Sequence, residues 1–200
     1  MDPRARPLNR ASLASEPVEQ FRRWFEDARP LHRAPEAAAL ATAARDGRPS
    51  VRMVLTKQAD ENGIVFFTHT TSRKGSELAS NPCAALLFHW DALGRQVRAE
   101  GAVLRLSEVE SDAYWSTRPL GARHAALASP QSRVVESRAA LEARVEEVSA
   151  DPEPARPPTW GGYRLVPDAW EFWQHRENRL HDRFRYRLEG ATWGIERLGP

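Results

Sequence analysis

The sequence predicts a mainly β protein of the α+β class, in which antiparallel strands form a single barrel with helices at its periphery. Short stretches rich in β-branched and aromatic residues follow one another at the spacing of β-hairpins, and their connections contain the glycines typical of tight turns. Only a few helical stretches interrupt them, which favours a succession of hairpins over an alternating βαβ array. The chain of 200 residues suits one domain, and it contains neither GxGxxG nor GxxxxGK[ST], so no Rossmann or P-loop nucleotide site is indicated.

A polar N-terminal arm over residues 1–15, which we expect to be mobile, precedes a single domain over residues 16–200. The domain begins with a helix that starts near Pro17, since proline is favoured in the first turn of a helix. Apolar residues recur along this helix at helical spacing, and they predict its buried face: Val18, Phe21, Trp24 and Phe25.

Strands dominate the rest of the chain, and helices separate them at a few points. Apolar runs between turn signals predict strands over 37–44, 50–57, 64–68, 83–90, 94–106, 160–167, 169–174, 179–188 and 192–198. Caps and periodicity predict helices over 71–81, 107–118 and 136–150. Thr71 or Ser72 caps the first of these helices, and the second opens on a capping box formed by Ser107 and Glu110.

Composition excludes several classes of protein. The 29 Lys and Arg residues face 27 Asp and Glu residues, so the net charge of +2 argues against a general nucleic-acid binder. Neither an apolar run of about 18 residues nor a secretory signal is present, which indicates a cytoplasmic protein without a membrane partner. The single cysteine, Cys83, excludes an internal disulfide, and we expect it to be a small core residue. The histidines lack metal-ligand spacing, so no metal site is predicted.

Cations that could bind phosphate are concentrated in four stretches of the sequence: 52–57, 71–75, 92–98 and 179–183. The only two lysines, Lys57 and Lys74, both fall in these stretches. Lys74 lies at a predicted helix N-terminus, which adds free amide donors and a positive dipole end.

The last of these stretches places an imidazole among guanidinium groups. If residues 179–188 form a strand, alternation puts Arg179, His181 and Arg183 on one face. Arg185 and Arg187 would continue that face towards solvent. The two neighbouring cations favour a neutral His181, which could accept as well as donate a hydrogen bond.

Several stretches, in this order and spacing, resemble the pyridoxine/pyridoxamine 5′-phosphate oxidase family: RMVLTK, SRKGSEL, NPCAALLFHW, RQV, PQS, WGGYR, EFWQ and RLHDRF. The resemblance covers residues 17–200, and the closing EFWQ…NRLHDRFRY is its most specific part. It implies an FMN-binding split β-barrel and a homodimer that binds the flavin at its subunit interface. The implied activity is oxidation of pyridoxamine or pyridoxine 5′-phosphate to pyridoxal 5′-phosphate, with O2 reduced to H2O2.

The resemblance also implies the residues of the site, some of which would come from the second subunit. Flavin contacts would be made by Arg52, Met53, Val54, Leu55, Lys57, Phe67, Thr68, Arg73, Lys74, Gln96, Gln131, Ser132, Trp173 and Arg183. The substrate phosphate would be bound by Lys57, Tyr114 and Arg118. Arg179 and His181 would hold the substrate ring and act in catalysis.

Two departures from the family pattern are found in the implied site. Ala122 stands where the family has a serine that binds the substrate, and Phe67 where it usually has a tyrosine. Some stretches, THTTSRKG and PARPPTWGGYRLVP, also resemble the flavin oxidases of phenazine biosynthesis, which act on reduced tricyclic carboxylates. An oxidase of such a reduced heterocycle, or a flavin-binding protein without catalytic activity, therefore remains as an alternative.

Overall fold

The structure is a computed structural model, and it describes residues 6–200. In this part of the chain the strands are β1 (Ala37–Ala43), β2 (Pro49–Asp60), β3 (Gly63–His69), β4 (Cys83–Trp90), β5 (Arg95–Arg105), β6 (Trp160–Gln174), β7 (Asp182–Glu189) and β8 (Thr192–Leu198). The α-helices are α1 (Pro17–Ala28), α2 (Arg73–Ser80), α3 (Glu108–Thr117), α4 (Leu120–Ala128) and α5 (Arg138–Ser149). Within the described residues no helix is long and apolar enough to cross a membrane.

The strands form one antiparallel sheet that closes on itself. They lie in the order β3-β2-β1-β4-β5-β6-β7-β8, and β3 also pairs with β6, so β1 to β6 make a barrel. Strands β7 and β8 extend the sheet beyond the point of closure. The predicted antiparallel barrel with peripheral helices is confirmed.

Side chains on the inner face of the sheet, in the barrel and on its extension β7, form the main hydrophobic core. Phe88 pairs with Val97, Val97 with Phe172, and Phe172 with Phe184 across four neighbouring strands. All four side chains are buried. Helix α1 covers this core, and the ring of its Phe21 lies 4.8 Å from that of Phe88.

Helix α1 begins at Pro17 as predicted, but its buried stripe is narrower than expected. Its buried positions are Pro17, Gln20, Phe21, Trp24 and Ala28. Val18 and Phe25, which the spacing predicts to be buried, are only half-buried because they lie at the edges of that stripe.

The two strands predicted over 160–167 and 169–174 are one continuous strand, β6. Pro167 does not end it, because the ladder with β5 shifts register between Glu100 and Gly101, opposite Pro167. A bulge of this kind accommodates a proline that cannot donate a ladder hydrogen bond. Gly101 is needed there, since a Cβ on it would lie 2.1 Å from the carbonyl oxygen of Val166.

The strand predicted over 179–188 begins later than expected, at Asp182. Gln174 on β6 pairs with Asp182 on β7, so the residues between them must form the hairpin loop. Glu177–Arg179 form a short 3-10 turn, and Asn178 and Arg179 have positive φ angles of 55° and 61°. Arg179 and His181 are therefore loop residues, and the strand alternation predicted for them is wrong.

Helix α4 is not predicted by the sequence, and Cys83 does not lie in the core where it is predicted. The buried positions of α4 are His124, Ala126 and Ala128, which are too small or too polar to produce a clear helical hydrophobic pattern. Cys83, predicted to lie in the core, is exposed. Side chains alternate along β4, and those of Leu86 and Phe88 point inwards, so that of Cys83 points outwards.

The described part of the predicted N-terminal arm is docked on the domain between Leu8 and Ala14. Both side chains are buried. The Leu8 amide donates to Asp182 Oδ2 at 3.1 Å, and the Tyr186 hydroxyl donates to the Ala14 carbonyl at 2.8 Å. These long-range bonds fix a segment whose polar sequence suggests mobility, while residues 1–5 lie outside the described part of the chain.

Candidate functional site

A cavity of about 380 Å³ lies between β2, β3, the start of α2 and the segment that joins α3 to α4. Most of its lining residues are predicted site residues: Met53, Val54, Leu55, Lys57, Phe67, Thr68, Lys74, Tyr114, Arg118 and Gln131. The other two are Pro119 and Ala122. We call these residues, together with Arg52 and Arg73, the first cluster.

Lys57 reaches this cavity from an irregular point in β2. The pairing of β2 with β3 shifts register between Thr56 and Gln58, and Lys57 is the residue in between. A bulge changes the direction of the side chain that it carries. Lys57 is exposed, and it lines the cavity beside Leu55.

Lys74 supplies a buried ammonium group at the start of α2. Its Nζ donates to Thr68 Oγ1 and to Gln131 Oε1, both at 3.0 Å. Burial, and then the charge of Arg52, lower the pKa of Lys74 to about 8. An anion bound beside this amine would favour its charged form, so the arrangement suits a phosphate group.

Glu77, one turn further along α2, connects two predicted flavin contacts. Its Oε1 accepts from Arg73 Nε at 2.9 Å, and its Oε2 accepts from Arg52 Nη2 at 3.2 Å. Burial alone would raise the pKa of Glu77. Hydrogen bonds from Ser50, Thr42, Arg73 and Arg52 outweigh that effect and lower this pKa to about 2. Glu77 is therefore an ionised carboxylate with only 7% of its side chain exposed.

The side of the cavity formed by α3 and α4 holds a phenol and a guanidinium group. The Tyr114 ring stacks on Phe67 at 3.9 Å between centroids and 19° between planes. The Arg118 guanidinium lies 5.0 Å from the centre of the Trp160 ring, and its Nη2 donates to the Ala122 carbonyl at 2.9 Å. Arg118 Nε is buried and has no hydrogen-bond partner among the described residues. A buried, unsatisfied donor beside a cavity suits an anionic ligand.

A second cluster of predicted residues lies around the end of β6. Trp173 pairs with Gln96 on β5 and with Arg183 on β7. The His181 ring lies 4.5 Å from the Trp173 ring. Arg179 is exposed in the loop that carries His181. We call Gln96, Trp173, Arg179, His181 and Arg183 the second cluster.

Burial and four neighbouring groups act on the protonation of His181. The Arg176 amide donates to His181 Nδ1 at 3.1 Å, which puts the proton of the neutral ring on Nε2. Burial lowers the pKa of His181, and the charges of His175, Arg179 and Arg183 lower it further. The prediction of a neutral His181 is confirmed in direction, and His175 is an unpredicted contributor.

Arg183 is held by a buried carboxylate. Its Nε donates to Glu171 Oε1 at 2.8 Å, and its Nη1 donates to the Gly199 carbonyl at 2.7 Å. Glu171 also accepts from Arg98 Nη2 at 2.9 Å. The same pattern, in which a buried glutamate holds the Nε of an arginine, is found at Glu77 in the first cluster.

The two clusters lie at opposite ends of one outer face of the sheet. Residues that face one another across this surface are Met53, Ala39, Leu87, Arg98 and Glu171. Neighbouring strands are about 4.8 Å apart, so roughly 19 Å of sheet surface separates Met53 from Glu171. A single chain therefore does not bring all the predicted contacts into one cavity.

The part of this face next to the first cluster is apolar. Val51, Met53 and Leu55 on β2 are 68%, 64% and 48% exposed. The side chains that continue this surface on β1 and β4, those of Ala39 and Leu87, are half-buried. Exposed aliphatic side chains on β2, continued by half-buried ones on β1 and β4, are typical of a surface that another molecule covers. We call this surface the outer apolar face.

The site residues differ in whether the sequence next to them indicates their role. Ser132, the remaining predicted residue, follows Gln131 in a turn and has a φ angle of 70°. Glu77 carries one local signal, its spacing of four residues from Arg73. Glu171 has no such signal, because its partners Arg98 and Arg183 come from other strands.

Comparison with known proteins gives two family matches. Residues 25–150 match the model of the family described as pyridoxamine 5′-phosphate oxidase. Residues 160–200 match the region described as the pyridoxine 5′-phosphate oxidase C-terminal dimerisation region. The chain is 54% identical to the pyridoxine/pyridoxamine 5′-phosphate oxidase of Cupriavidus taiwanensis and 52% identical to that of Burkholderia lata. Each of these matches covers 96% of this chain and 93% of the relative.

Two solved structures share the fold over nearly the whole chain. PhzG from Burkholderia lata, in complex with tetrahydrophenazine-1-carboxylic acid, superposes with a TM-score of 0.93 at 38% identity, over 98% of this chain and 99% of PhzG. A pyridoxamine 5′-phosphate oxidase-related, FMN-binding protein from Nostoc punctiforme superposes with a TM-score of 0.76, over 94% of this chain and all of that protein. The latter is only 19% identical, so that likeness is one of fold alone.

Proposed function

The chain belongs to the pyridoxamine 5′-phosphate oxidase family, and on that premise we propose that it is an FMN-dependent oxidase of pyridoxamine or pyridoxine 5′-phosphate. The product is pyridoxal 5′-phosphate, and O2 is reduced to H2O2; with the amine substrate, water hydrolyses the imine and ammonia is released. One observation carries the proposal: the first-cluster cavity combines Lys57, Tyr114 and Arg118, a set of donors that suits a substrate phosphate.

The donors at the start of α2 fit the phosphate of FMN. Lys74 Nζ donates to both Thr68 and Gln131, and Arg73, the preceding residue in the chain, is held through its Nε. The lowered pKa of Lys74 is consistent with a site that an anion completes. Bound FMN would supply the redox chemistry, as the acceptor of a hydride from the substrate and the donor of electrons to O2.

A homodimer would complete the site from two chains. A two-fold axis through the outer face of the sheet would bring the first cluster of each chain opposite the second cluster of its partner. The dimer would therefore contain two equivalent sites, each built from both chains. Met53 and Leu55 belong both to the cavity and to the outer apolar face, so the partner would cover the cavity mouth. The match of residues 160–200 to a dimerisation region supports this arrangement.

In this arrangement the second cluster orients the reacting ring. His181 presents Nε2–H, because its Nδ1 already accepts from the Arg176 amide. It therefore acts as a hydrogen-bond donor to an oxygen or nitrogen of the substrate, and Arg179 supplies a positive charge beside it. Lys57 and Arg118 bind the substrate phosphate and fix the distance between the ring and these two residues. Holding reactants in such a geometry contributes a large part of catalysis.

An oxidase of a reduced heterocycle is the second candidate function. Two observations favour it: the likeness to PhzG, whose structure contains tetrahydrophenazine-1-carboxylic acid, and the absence of a hydroxyl group at Ala122. The greater identity to pyridoxine/pyridoxamine 5′-phosphate oxidases, 51% to 55% against 38%, favours the vitamin B6 substrate. A flavin-binding protein without catalytic activity is the third candidate.

The test begins with the absorption spectrum of the purified protein. We expect a yellow protein that releases FMN on denaturation and consumes O2 with pyridoxine 5′-phosphate. Oxygen uptake with a dihydrophenazine carboxylate alone would favour the second candidate, and a yellow protein inert to both substrates would favour the third. A colourless protein that takes up no FMN would contradict all three.

A matched pair of variants then tests the cavity. Arg118→Ala is expected to raise KM for pyridoxine 5′-phosphate by at least about tenfold, the effect of losing a charge-assisted hydrogen bond to phosphate. Arg138→Ala removes an exposed guanidinium group on α5 and should leave KM unchanged. Equal KM values for the two variants would remove Arg118 from the substrate site.

A further inference from the structure

We propose that Glu77 is a positioning residue that aims the Arg73 guanidinium at the flavin phosphate, an inference that rests on the proposed function. None of the predicted contacts includes Glu77, and an acidic residue beside a phosphate site is unexpected from charge alone. The contacts around its carboxylate give it this role.

The Glu77 carboxylate joins three elements of the fold. Its Oε1 holds Arg73 on α2, and its Oε2 holds Arg52 on β2. Oε2 also accepts from Ser50 Oγ at 2.5 Å and from the hydroxyl of Thr42 on β1. Four donors around one carboxylate leave it little freedom to move.

The two arginines bound to Glu77 differ in how many of their donors are already used in hydrogen bonds. Arg52 donates from Nη1 to the Leu40 carbonyl at 3.1 Å and to Thr42, and from Nη2 to Glu77 and Ser50. Both of its terminal amines are therefore engaged within the protein. Arg73 is held through Nε alone, and its side chain is 58% exposed. Among the described residues, its terminal amines have no hydrogen-bond partner.

A guanidinium group held at Nε presents its two terminal amines in a fixed plane. That fork matches two oxygens of a phosphate group. Arg73 also lies at the start of α2, next to Lys74, where free backbone amides favour an anion. Glu77 thus converts a mobile exposed arginine into a preorganised one, which reduces the entropy lost when the phosphate binds.

An argument from charge alone predicts that Glu77 weakens phosphate binding, which is the opposite of a positioning role. Arg52, Arg73 and Lys74 carry three positive charges and Glu77 one negative charge, so the local net charge is 3 − 1 = +2. Replacing Glu77 with glutamine raises it to +3 and should strengthen phosphate binding if Glu77 acted only through its charge. If Glu77 acts by positioning, the same substitution weakens phosphate binding.

The experiment compares two ligands that differ by the phosphate group. Apoprotein is titrated with FMN and with riboflavin, and flavin fluorescence gives each Kd. For Glu77→Gln we expect the FMN Kd to rise at least about tenfold, or about 1.4 kcal/mol. The riboflavin Kd should stay within about twofold of wild type, because riboflavin has no phosphate to reach Arg73.

Two further variants complete the design. Glu142→Gln breaks an exposed Arg–Glu pair with the same spacing of four residues on α5, and it should change neither Kd. In the double variant with Arg73→Ala, Glu77→Gln should add no further loss of FMN affinity, because Glu77 acts through Arg73. If Glu77→Gln does not fold, Ser50→Ala replaces it, with a smaller rise in the FMN Kd expected.

Three outcomes overturn the inference: tighter or unchanged FMN binding by Glu77→Gln, an equal loss for riboflavin, or additive losses in the double variant. An unchanged FMN Kd in Ser50→Ala, used as the substitute, overturns it as well. These results are distinct from failure of the proposed function, in which wild-type protein itself binds no FMN.

Discussion

At the scale of single residues, the site depends on neighbours that carry no obvious functional signal. Burial and surrounding positive charge lower the pKa of His181, and a backbone amide of the same loop sets the tautomer of its neutral form. His175 lies with its ring 5.4 Å from His181 and contributes to lowering that pKa. A substitution of His175 therefore tests the electrostatics of the site without removing a proposed substrate contact.

His175→Gln is expected to shift the acidic limb of the pH–activity profile to higher pH. Removing the positive charge of His175 raises the pKa of His181 towards its ordinary value. Protonated His181 loses the acceptor for the Arg176 amide, so activity is lost as the pH falls through this pKa. The measurement is kcat/KM against pH, with His32→Gln, outside both clusters, as a control that should not move the profile. A shift to lower pH in His175→Gln would contradict this account.

At the scale of elements, the sequence determines strand and helix identity well and element boundaries less well. Hairpin spacing predicts every strand of the barrel, because turn chemistry and alternation are local properties. Whether Pro167 ends β6 depends on Gly101 in another strand, which no local pattern reveals. The candidate site shows the same contrast. The motif that indicates Lys74 is local in the sequence, whereas the role of Glu77 on α2 depends on Ser50 of β2 and Thr42 of β1.

The β6–β7 loop holds Arg179 in a backbone conformation that disfavours a side chain. Its φ angle of 61° costs a non-glycine residue about 1 kcal/mol. Arg179→Gly should relieve this strain and Arg179→Ala should not, so the glycine variant should be more stable than the alanine variant by about 1 kcal/mol. Both variants should lose activity and stay yellow. Urea unfolding at one protein concentration measures the difference, and equal midpoints would show that the loop is unstrained.

At the scale of the whole molecule, the barrel holds apart the two clusters that the proposed reaction needs in one site. The two clusters lie on one face at opposite ends, and the outer apolar face extends from the first of them. The proposed dimer resolves both features, since it covers the aliphatic side chains and joins the clusters of different chains. The active unit is then a pair of chains.

Complementation between inactive variants tests this arrangement. Arg118→Ala weakens substrate binding in the first cluster and Arg179→Ala disables the second, so at a substrate concentration well below KM each homodimer should have little activity. When equal amounts are refolded together, half of the dimers contain one chain of each kind, and each of these has one intact site. We expect about a quarter of the wild-type activity to return. If both clusters of one site came from the same chain, mixing would restore nothing.

Both ends of the described chain are in contact with the hairpin that carries the second cluster. Asp182 accepts from the Leu8 amide, and Arg183 donates to the Gly199 carbonyl. A purification tag fused directly after Pro200, or attachment to a surface through residues near Leu8, would therefore pull on proposed flavin and substrate contacts. The outer surface of α5, which has no buried residue, is the more suitable point for labels, linkers or immobilisation.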